Sequence, residues 1–554
     1  MKARTGNHMQ TPPPSSQGVR FIQRGAVIHV PGVPPDRTLL ALLREDLGLV
    51  AVKEGCNSGD CGACTVVLAE ARGDALRWQA SNSCIRLAHS VDGMALWTAG
   101  DLTHDPLIAL DGVTLHPVQQ ALVDGHGSQC GFCTPGIVAS LFALERRSGQ
   151  AGIPITRQQA QTALSGNLCR CTGYRPVLDA AQAMAGLPPA RLDEAGLLAQ
   201  LRAIGLPPGD TAKSPPDGEA GQPAQDSPSF YLAPATLTQA LQTRARWPDA
   251  RLVGGGTDLV LGLTKDLQRQ PQLIDLTRAT ELLRIEQADG RLSVGAAVSL
   301  ADAFAALRQH WPDLDEYLSR FAGAQVRQTG TLGGNIANGS PVGDSMPLLI
   351  ALRAQLVLSR LDPTTGAVVE RRVAIEDFYL GYRRNALESD ELLAAIEIPL
   401  QLRPALDGAT VAGSSGRISG HWTRAYKVSR RVEDDIATLS LALALQIENG
   451  QVLAASIGAG GMAATPVRAR RTEAALAGQA WSADSVRTAM AVLEQEFEPL
   501  SDLRASAAYR RRVLANLLWR SWLESQGETL PYPARLAGLE PMATGTTSDA
   551  KHSP

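Results

Sequence analysis

The chain has 554 residues, room for about three to five domains at roughly 150 residues each. With 44% hydrophobic and 19% charged residues it can bury several cores, which excludes a disordered or fibrous chain. Its 52 basic and 55 acidic side chains leave a net charge of −3, so no basic excess attracts nucleic acid or an anionic membrane.

Residues 1 to about 18 are rich in Pro, Ser and Gln and have no apolar segment behind their few basic residues. They read as a tail rather than a secretory leader. The longest near-apolar stretch, around Ile436 to Ile447, falls short of the ~18 residues of a membrane span, so a cytoplasmic chain is expected. From Val19 to Trp97 short apolar runs (VRFIQ, AVIHV, TVVLAE) alternate with turns, which predicts a small mixed α/β domain over 19–98. All eight cysteines fall between Cys56 and Cys171. A reducing compartment would not keep them as disulfides. The first four, Cys56-x4-Cys61-x2-Cys64 and then Cys84, have the spacing of a plant-type 2Fe–2S ferredoxin, whereas zinc favours paired C-x2-C knuckles.

Over 99–187 the pattern turns helical. Thr134 and Pro135 read as N-cap and first residue of a helix with Ile137, Val138, Leu141 and Phe142 on one face. Thr156 starts a second helix running to Gly166, and Pro176 opens a third with Val177, Ala180, Ala181 and Met184. The second quartet, Cys130-x2-Cys133 and Cys169-x-Cys171, therefore lies at helix ends. Its spacing alone leaves a four-thiolate zinc site and a second 2Fe–2S cluster both open. His116 and His126, nearby, read as structural. Residues 188–229 are expected to be an interdomain linker, since Gly205 to Ser229 holds six prolines and four glycines.

After Phe230 the cysteines cease and glycine-rich strand–turn segments begin. ARLVGGGTDLVLGL (250–263) and GTLGGNIANGSPVGD (330–344) are loops whose backbone N–H groups can approach phosphate oxygens, and two in one domain point to a dinucleotide. Neither is a Walker A motif. IGAGGMA (457–463) satisfies G-x-G-x-x-G/A but lacks a βαβ frame and a following acidic residue, and reads as a structural turn. Asp434–Asp435 reads as a polar face, Arg403 to Gly420 as a loop insertion, and the chain from about Ala537 as a disordered tail.

The segments GCNSGDCGACTV, QCGFCTPG and GNLCRCTGYRP resemble the paired 2Fe–2S domains of the molybdenum hydroxylases, the family of xanthine dehydrogenase and aldehyde oxidase. LVGGGTDL, FAGAQVRQTGTLGGNIANGSPVGD, DFYLGYR and AYKVSRRVEDDIA resemble, in order, that family's FAD domain of the vanillyl-alcohol-oxidase type. The resemblance implies a multidomain α+β chain. Its parts would be a ferredoxin-like β-grasp domain (19–98), an all-helical 2Fe–2S domain (99–187), an FAD-binding domain (230–400) and a C-terminal flavin subdomain (422–535).

It also implies that Cys56, Cys61, Cys64 and Cys84 hold one 2Fe–2S cluster and Cys130, Cys133, Cys169 and Cys171 another, which turns the second quartet away from zinc. Gln129 matches a glutamine that approaches molybdopterin. Leu252, Val253, Gly254, Gly255, Gly256, Thr257 and Asp258 match the first FAD loop, Phe321 an aromatic beside the isoalloxazine, and Thr331, Gly334, Asn335 and Asp344 the second loop. Leu393 and Lys427 match later flavin contacts, and Tyr382 a tyrosine on the NAD side.

No segment resembles a molybdopterin-binding domain, so the molybdenum cofactor is expected on a large partner subunit, in a heterodimer or a dimer of heterodimers. The resemblance then implies the electron-transfer subunit of a xanthine dehydrogenase, passing electrons from molybdenum through both clusters to FAD and NAD as purines are oxidised to urate. Alternatives are the same subunit of an aldehyde or N-heterocycle dehydrogenase, or a redox carrier without turnover.

Overall fold

The computed structural model describes residues 18–148, 154–205, 229–402 and 419–528. The expected N- and C-terminal tails, the Pro/Gly-rich stretch at 206–228 and most of the expected 403–420 insertion lie outside these residues. Among the described residues no helix is long and apolar enough to cross a membrane.

The first unit is a five-stranded sheet in the order Ala26–Val30, Val19–Gln23, Met94–Trp97, Thr65–Arg72, Ala75–Asn82. Val19–Gln23 and Met94–Trp97 are parallel, with Phe21 opposite Met94, and the other pairs are antiparallel. This is the β-grasp arrangement. Both faces are buried, and the alternation of side chains along each strand decides what each face meets. Ile22, Val67, Ala69, Ala95 and Trp97 pack on the helical unit. Phe21, Val66, Leu68 and Leu96 pack on Leu39, Leu42 and Leu43, and that core continues into Val253, Val260 and Leu273 of the glycine-rich half. The sheet is therefore sandwiched between the two other parts of the chain.

The helical unit contains Pro117–Asp124, Thr134–Arg147, Arg157–Leu164 and Arg175–Ala183. Thr156 caps its helix as predicted, its hydroxyl accepting from Gln159 N. Thr134 does not. The helix begins at Thr134 itself with Cys133 as N-cap, and the Thr134 hydroxyl is engaged with Ser128 Oγ at 2.8 Å. Part of the segment read as linker is also folded. Arg191–Leu192 pairs with Ile108–Ala109, and helix Glu194–Ile204 buries Leu197 and Leu201 against the first unit. Apolar residues four apart make one helical stripe, a signal that the proline-rich composition further on concealed.

The glycine-rich half contains a parallel sheet (Phe230–Leu232, Gln272–Asp275, Arg251–Val253) and a five-stranded sheet whose central strand is Leu392–Pro399. A four-stranded antiparallel sheet from Gly420–Val428 to Val467–Arg468 follows, and helices Arg470–Leu476, Ala483–Glu494 and Ala507–Ser525 complete that last unit. Of the segment read as a turn, Ile457 to Gly460 is the end of the buried strand Gln451–Gly460, and only from Gly461 does the chain turn. Its glycines serve packing: a Cβ on Gly458 would lie 2.1 Å from the Pro347 carbonyl oxygen.

Candidate functional site

The two glycine-rich loops meet. Gly255 has φ +84°, and a Cβ there would lie 2.1 Å from the Thr329 carbonyl oxygen, so only glycine permits this approach. Thr331 ties the loops together: its hydroxyl donates to Gly254 O at 3.0 Å and accepts from Gly334 N at 3.0 Å. The Gly334 N–H is thus already spent within the protein. Asn335 is oriented by Ser345, whose hydroxyl donates to Asn335 Oδ1 at 2.5 Å.

Beside the loops lies a cavity of about 900 Å³. Of the residues expected around FAD, Leu252, Val253, Gly254, Gly256, Thr257, Asp258, Phe321, Thr331, Gly334, Asn335, Asp344, Leu393 and Lys427 all line it. Gly255 instead faces a smaller cavity of about 250 Å³ behind the loop. On the wall of the larger cavity, buried Lys427 Nζ donates to Asp344 Oδ2 at 2.7 Å and to the Arg320 carbonyl at 2.9 Å. Burial raises the Asp344 carboxyl pKa, and the adjacent ammonium opposes the rise. Tyr382 stands apart. It is exposed on a hairpin tip with the Arg383 guanidinium 5.6 Å from its ring, and Arg383 rather than Tyr382 reaches the cavity.

Two features of the wall escaped the sequence reading. Asp434, read as part of a polar face, is buried, and it lines the cavity with Asp435. Burial, and then the Asp60 carboxylate, push its pKa up to about 7 against Arg431 and Arg327. In addition, Ser58, Gly59 and Asp60 form part of the same wall. These three residues lie between Cys56 and Cys61, so the first cysteine loop borders the cavity directly.

Each quartet is brought together. The Cys56 thiol faces Cys61 and Cys84, and Cys64 faces Cys84. Backbone N–H groups point at sulfur: Cys61 N and Ser58 N to Cys56 Sγ at 3.3 and 3.4 Å, and Cys56 N to Cys61 Sγ at 3.3 Å. In the second quartet Cys133 faces Cys169 and Cys130 faces Cys171. Burial, and then Cys169, push the Cys133 thiol up to about 12, so a metal bound there must displace its proton. Among the described residues no group of three or more His, Cys, Asp or Glu is placed to hold a single metal ion. Two all-thiol sets, the first with backbone donors aimed at sulfur and the second with the Thr172 hydroxyl donating to Cys169 Sγ at 3.3 Å, fit iron–sulfur clusters, which need thiolate ligands and outer hydrogen bonds to sulfur. The quartets differ in exposure. Cys64 and Cys84 are buried, whereas Cys130 and Cys171 are exposed, as are Gln129 and Phe132 beside them. His116 is a buried N-cap and His126 an exposed turn residue with φ +51°.

Four family profiles match in order. They are a 2Fe–2S iron–sulfur cluster binding domain over 23–88 and a [2Fe–2S] binding domain over 106–182. An FAD binding domain in molybdopterin dehydrogenase follows over 224–401, and a CO dehydrogenase flavoprotein C-terminal domain over 424–525. In this order the four matches make up a 2Fe–2S/FAD module similar to those of the molybdenum hydroxylases.

Relatives that match nearly the whole chain include xanthine dehydrogenases. That of Drosophila pseudoobscura pseudoobscura is 32% identical over 91% of this chain and 39% of its own length. Xanthine dehydrogenase 1 of Arabidopsis thaliana is 29% identical over 95% of this chain and 41% of its own. The module thus spans about two fifths of the length of the curated relatives it matches. Among solved structures, a reconstituted CO dehydrogenase from Oligotropha carboxidovorans is 28% identical with a TM-score of 0.47, over 55% of this chain and all of that one.

Proposed function

We propose that this chain is the iron–sulfur/flavin subunit of a xanthine dehydrogenase, relaying electrons from a partner's molybdenum site to NAD. One observation carries the reading: the loop of the first quartet shares a wall with the cavity of the glycine-rich loops, while the second quartet opens to the surface. Electrons enter at the exposed end and leave through the cavity. Cys130, Cys133, Cys169 and Cys171 hold the entry cluster, and Cys56, Cys61, Cys64 and Cys84 hold the second. The thirteen cavity residues and Gly255 hold FAD. When bound, the clusters carry single electrons and the flavin converts between single electrons and the pair that NAD accepts.

The chain's own residues do the rest. Backbone N–H groups of Cys56, Ser58 and Cys61 stabilise charge on sulfur. Lys427 and Asp344 fix a buried polar edge of the cavity, and Phe321 offers it an aromatic wall. Gln129 lies beside the exposed quartet and faces the partner's molybdopterin, and Tyr382 lies at the NAD side. The overall reaction balances as xanthine, water and NAD⁺ giving urate, NADH and a proton. The purine chemistry belongs to the partner, a large subunit assembled with this one in the cytoplasm.

Xanthine-dependent NADH formation is the first test, on the complex purified through a tag on this chain. Activity together with a large molybdenum subunit supports the reading. A complex with iron, sulfide and FAD but no xanthine activity sends the substrate to an aldehyde or another N-heterocycle. The carrier order has its own test. Cys169→Ser is expected to remove the entry cluster, abolish substrate-driven flavin reduction and leave reduction of the flavin by NADH intact. Loss of NADH-driven reduction in a folded, FAD-containing variant would mean that the order is wrong.

A further inference from the structure

Between the two quartets and the flavin half lies a buried polar junction. Asn167, two residues before Cys169, is 1% exposed, and Ser140 and Gln325 are fully buried. The Asn167 amide Nδ2 donates to the carbonyl of Gly62, between Cys61 and Cys64, at 3.0 Å and to Thr65 Oγ1 at 3.2 Å. Asn167 Oδ1 accepts from Ser140 Oγ at 2.6 Å, on the helix that starts after Cys133, and from Gln325 Nε2 at 2.7 Å. One side chain thus bonds three separate parts of the chain. Next to it, Leu168 N donates to Cys61 O at 2.9 Å.

Gln325 belongs to a short helix, Ala324–Thr329, that reaches in every direction. Gln325 Nε2 also donates to Ser140 Oγ at 2.8 Å. One turn on, Gln328 Oε1 accepts from Ala80 N at 2.7 Å, and the Thr329 and Ser81 hydroxyls are 3.0 Å apart, both on the first sheet. Arg327 Nη1 donates to the carbonyls of Ser319, Phe321 and Ala322 at 2.8, 2.7 and 2.6 Å, bracing the turn that presents Phe321 to the cavity.

We propose that Asn167 and Gln325 are positioning residues that lock the two thiol quartets and the flavin cavity at fixed mutual distances, an inference resting on the electron-relay reading above. Apolar contacts between domains are non-directional and tolerate sliding. A buried amide network does not, because a displaced member loses its partners in a medium that cannot replace them. The network holds three groups of different chain origin, and electron transfer between separated carriers falls steeply as the gap widens. Gln325 Oε1 has no partner, while Nε2 also lies 3.2 Å from the Ala163 carbonyl in the helical unit. Its amide is aimed at Asn167 and Ser140.

The test uses the holo complex with Gln325→Leu and, separately, Asn167→Asp, which keeps the acceptor but loses the donor to Gly62. Iron and FAD content are measured first. Low-temperature electron paramagnetic resonance then reads the magnetic coupling between the two reduced clusters, and flash reduction reads the cluster-to-flavin rate. At full iron and FAD content, Asn167→Asp is expected to change the coupling between clusters, and Gln325→Leu to slow cluster-to-flavin transfer several-fold. A merely structural role would lower thermal stability and move neither. Should either variant fail to accumulate, Ser140→Ala, which removes one hydrogen bond and almost no volume, carries the same two expectations. Native coupling and rate in a fully loaded variant would overturn the proposal alone. A native chain without two cluster signals would overturn the relay reading, and this proposal with it.

Discussion

At the residue scale the tightest constraints are packing constraints that composition does not reveal. Gly136 lies in the first turn of helix Thr134–Arg147, where alanine is ordinarily better by about 1 kcal/mol. Here a Cβ would sit 2.1 Å from the Gly62 carbonyl oxygen, the atom that also receives the Asn167 amide. Gly136→Ala should therefore destabilise by about 1–3 kcal/mol, the usual cost of overpacking, and reduce iron content. A rise in melting temperature would show that the two cysteine loops can part without harm. Lys427 makes the opposite case. Its side chain is 1% exposed and its ammonium 2.7 Å from Asp344, so Lys427→Met strands a buried carboxyl and should cost about 3–5 kcal/mol by chemical denaturation. Adding Asp344→Asn should recover part of that loss, and no recovery in the double variant would deny the pairing. The first cysteine spacing was legible because Cys56, Cys61 and Cys64 fall close together, whereas the second, split between Cys133 and Cys169, left zinc and iron–sulfur both open on spacing alone. Asn167 and Gln325 were not, because nothing local announces a contact between residues so far apart along the chain.

Among elements, helix ends show how far local rules carry. Thr156 was readable as a cap because its partner lies three residues on. Thr134 misled because its hydroxyl is claimed by Ser128, across the cysteine loop. Helix Pro117–Asp124 has a cap that was not foreseen at all. His116 Nδ1 accepts from Val118 N at 3.3 Å, which only a ring unprotonated at that nitrogen can do. Burial, and then Arg146, push the His116 pKa down to about 3, although Glu145 Oε2 lies 3.7 Å from the other ring nitrogen. That pair does not rescue the charge, since burial also raises the Glu145 pKa. The folded state thus holds His116 neutral while the unfolded chain takes a proton near pH 6.5. This contribution to stability is complete above about pH 6.5 and falls by about 1.4 kcal/mol per pH unit down to about pH 3. Amide exchange of Val118 to Ala121 should accelerate as pH falls through that window, after correction for the intrinsic rate. His116→Asn, a cap without a titrating ring, should flatten the dependence, and an unchanged slope would assign the effect elsewhere.

For the whole molecule, the sequence suggested separate domains strung on a linker, and the structure joins them through shared cores. The first sheet buries one face on the helical unit and continues through the other into the flavin half. Surface pairs also cross, among them Arg77 with Asp302 and Arg269 with Asp36, but exposed ion pairs contribute little. The shared apolar core and the buried bonds from Gln328 and Thr329 matter more. Helix Ala324–Thr329 runs straight into Gly330 and Thr331 on the cavity wall, so whatever fills the cavity braces the helix and, through it, strand Ala75–Asn82. A ligand that binds only the folded state stabilises every element that must be folded to bind it. Adding FAD to flavin-stripped protein should therefore slow amide exchange at Ala80 and along Ala75–Asn82, although neither borders the larger cavity. Gln328→Leu should uncouple the two, leaving flavin affinity near native while Ala80 loses its protection. Exchange at Ala80 that ignores FAD in the native protein would mean that the sheet and the flavin half open independently, and the shared core would then be mere proximity.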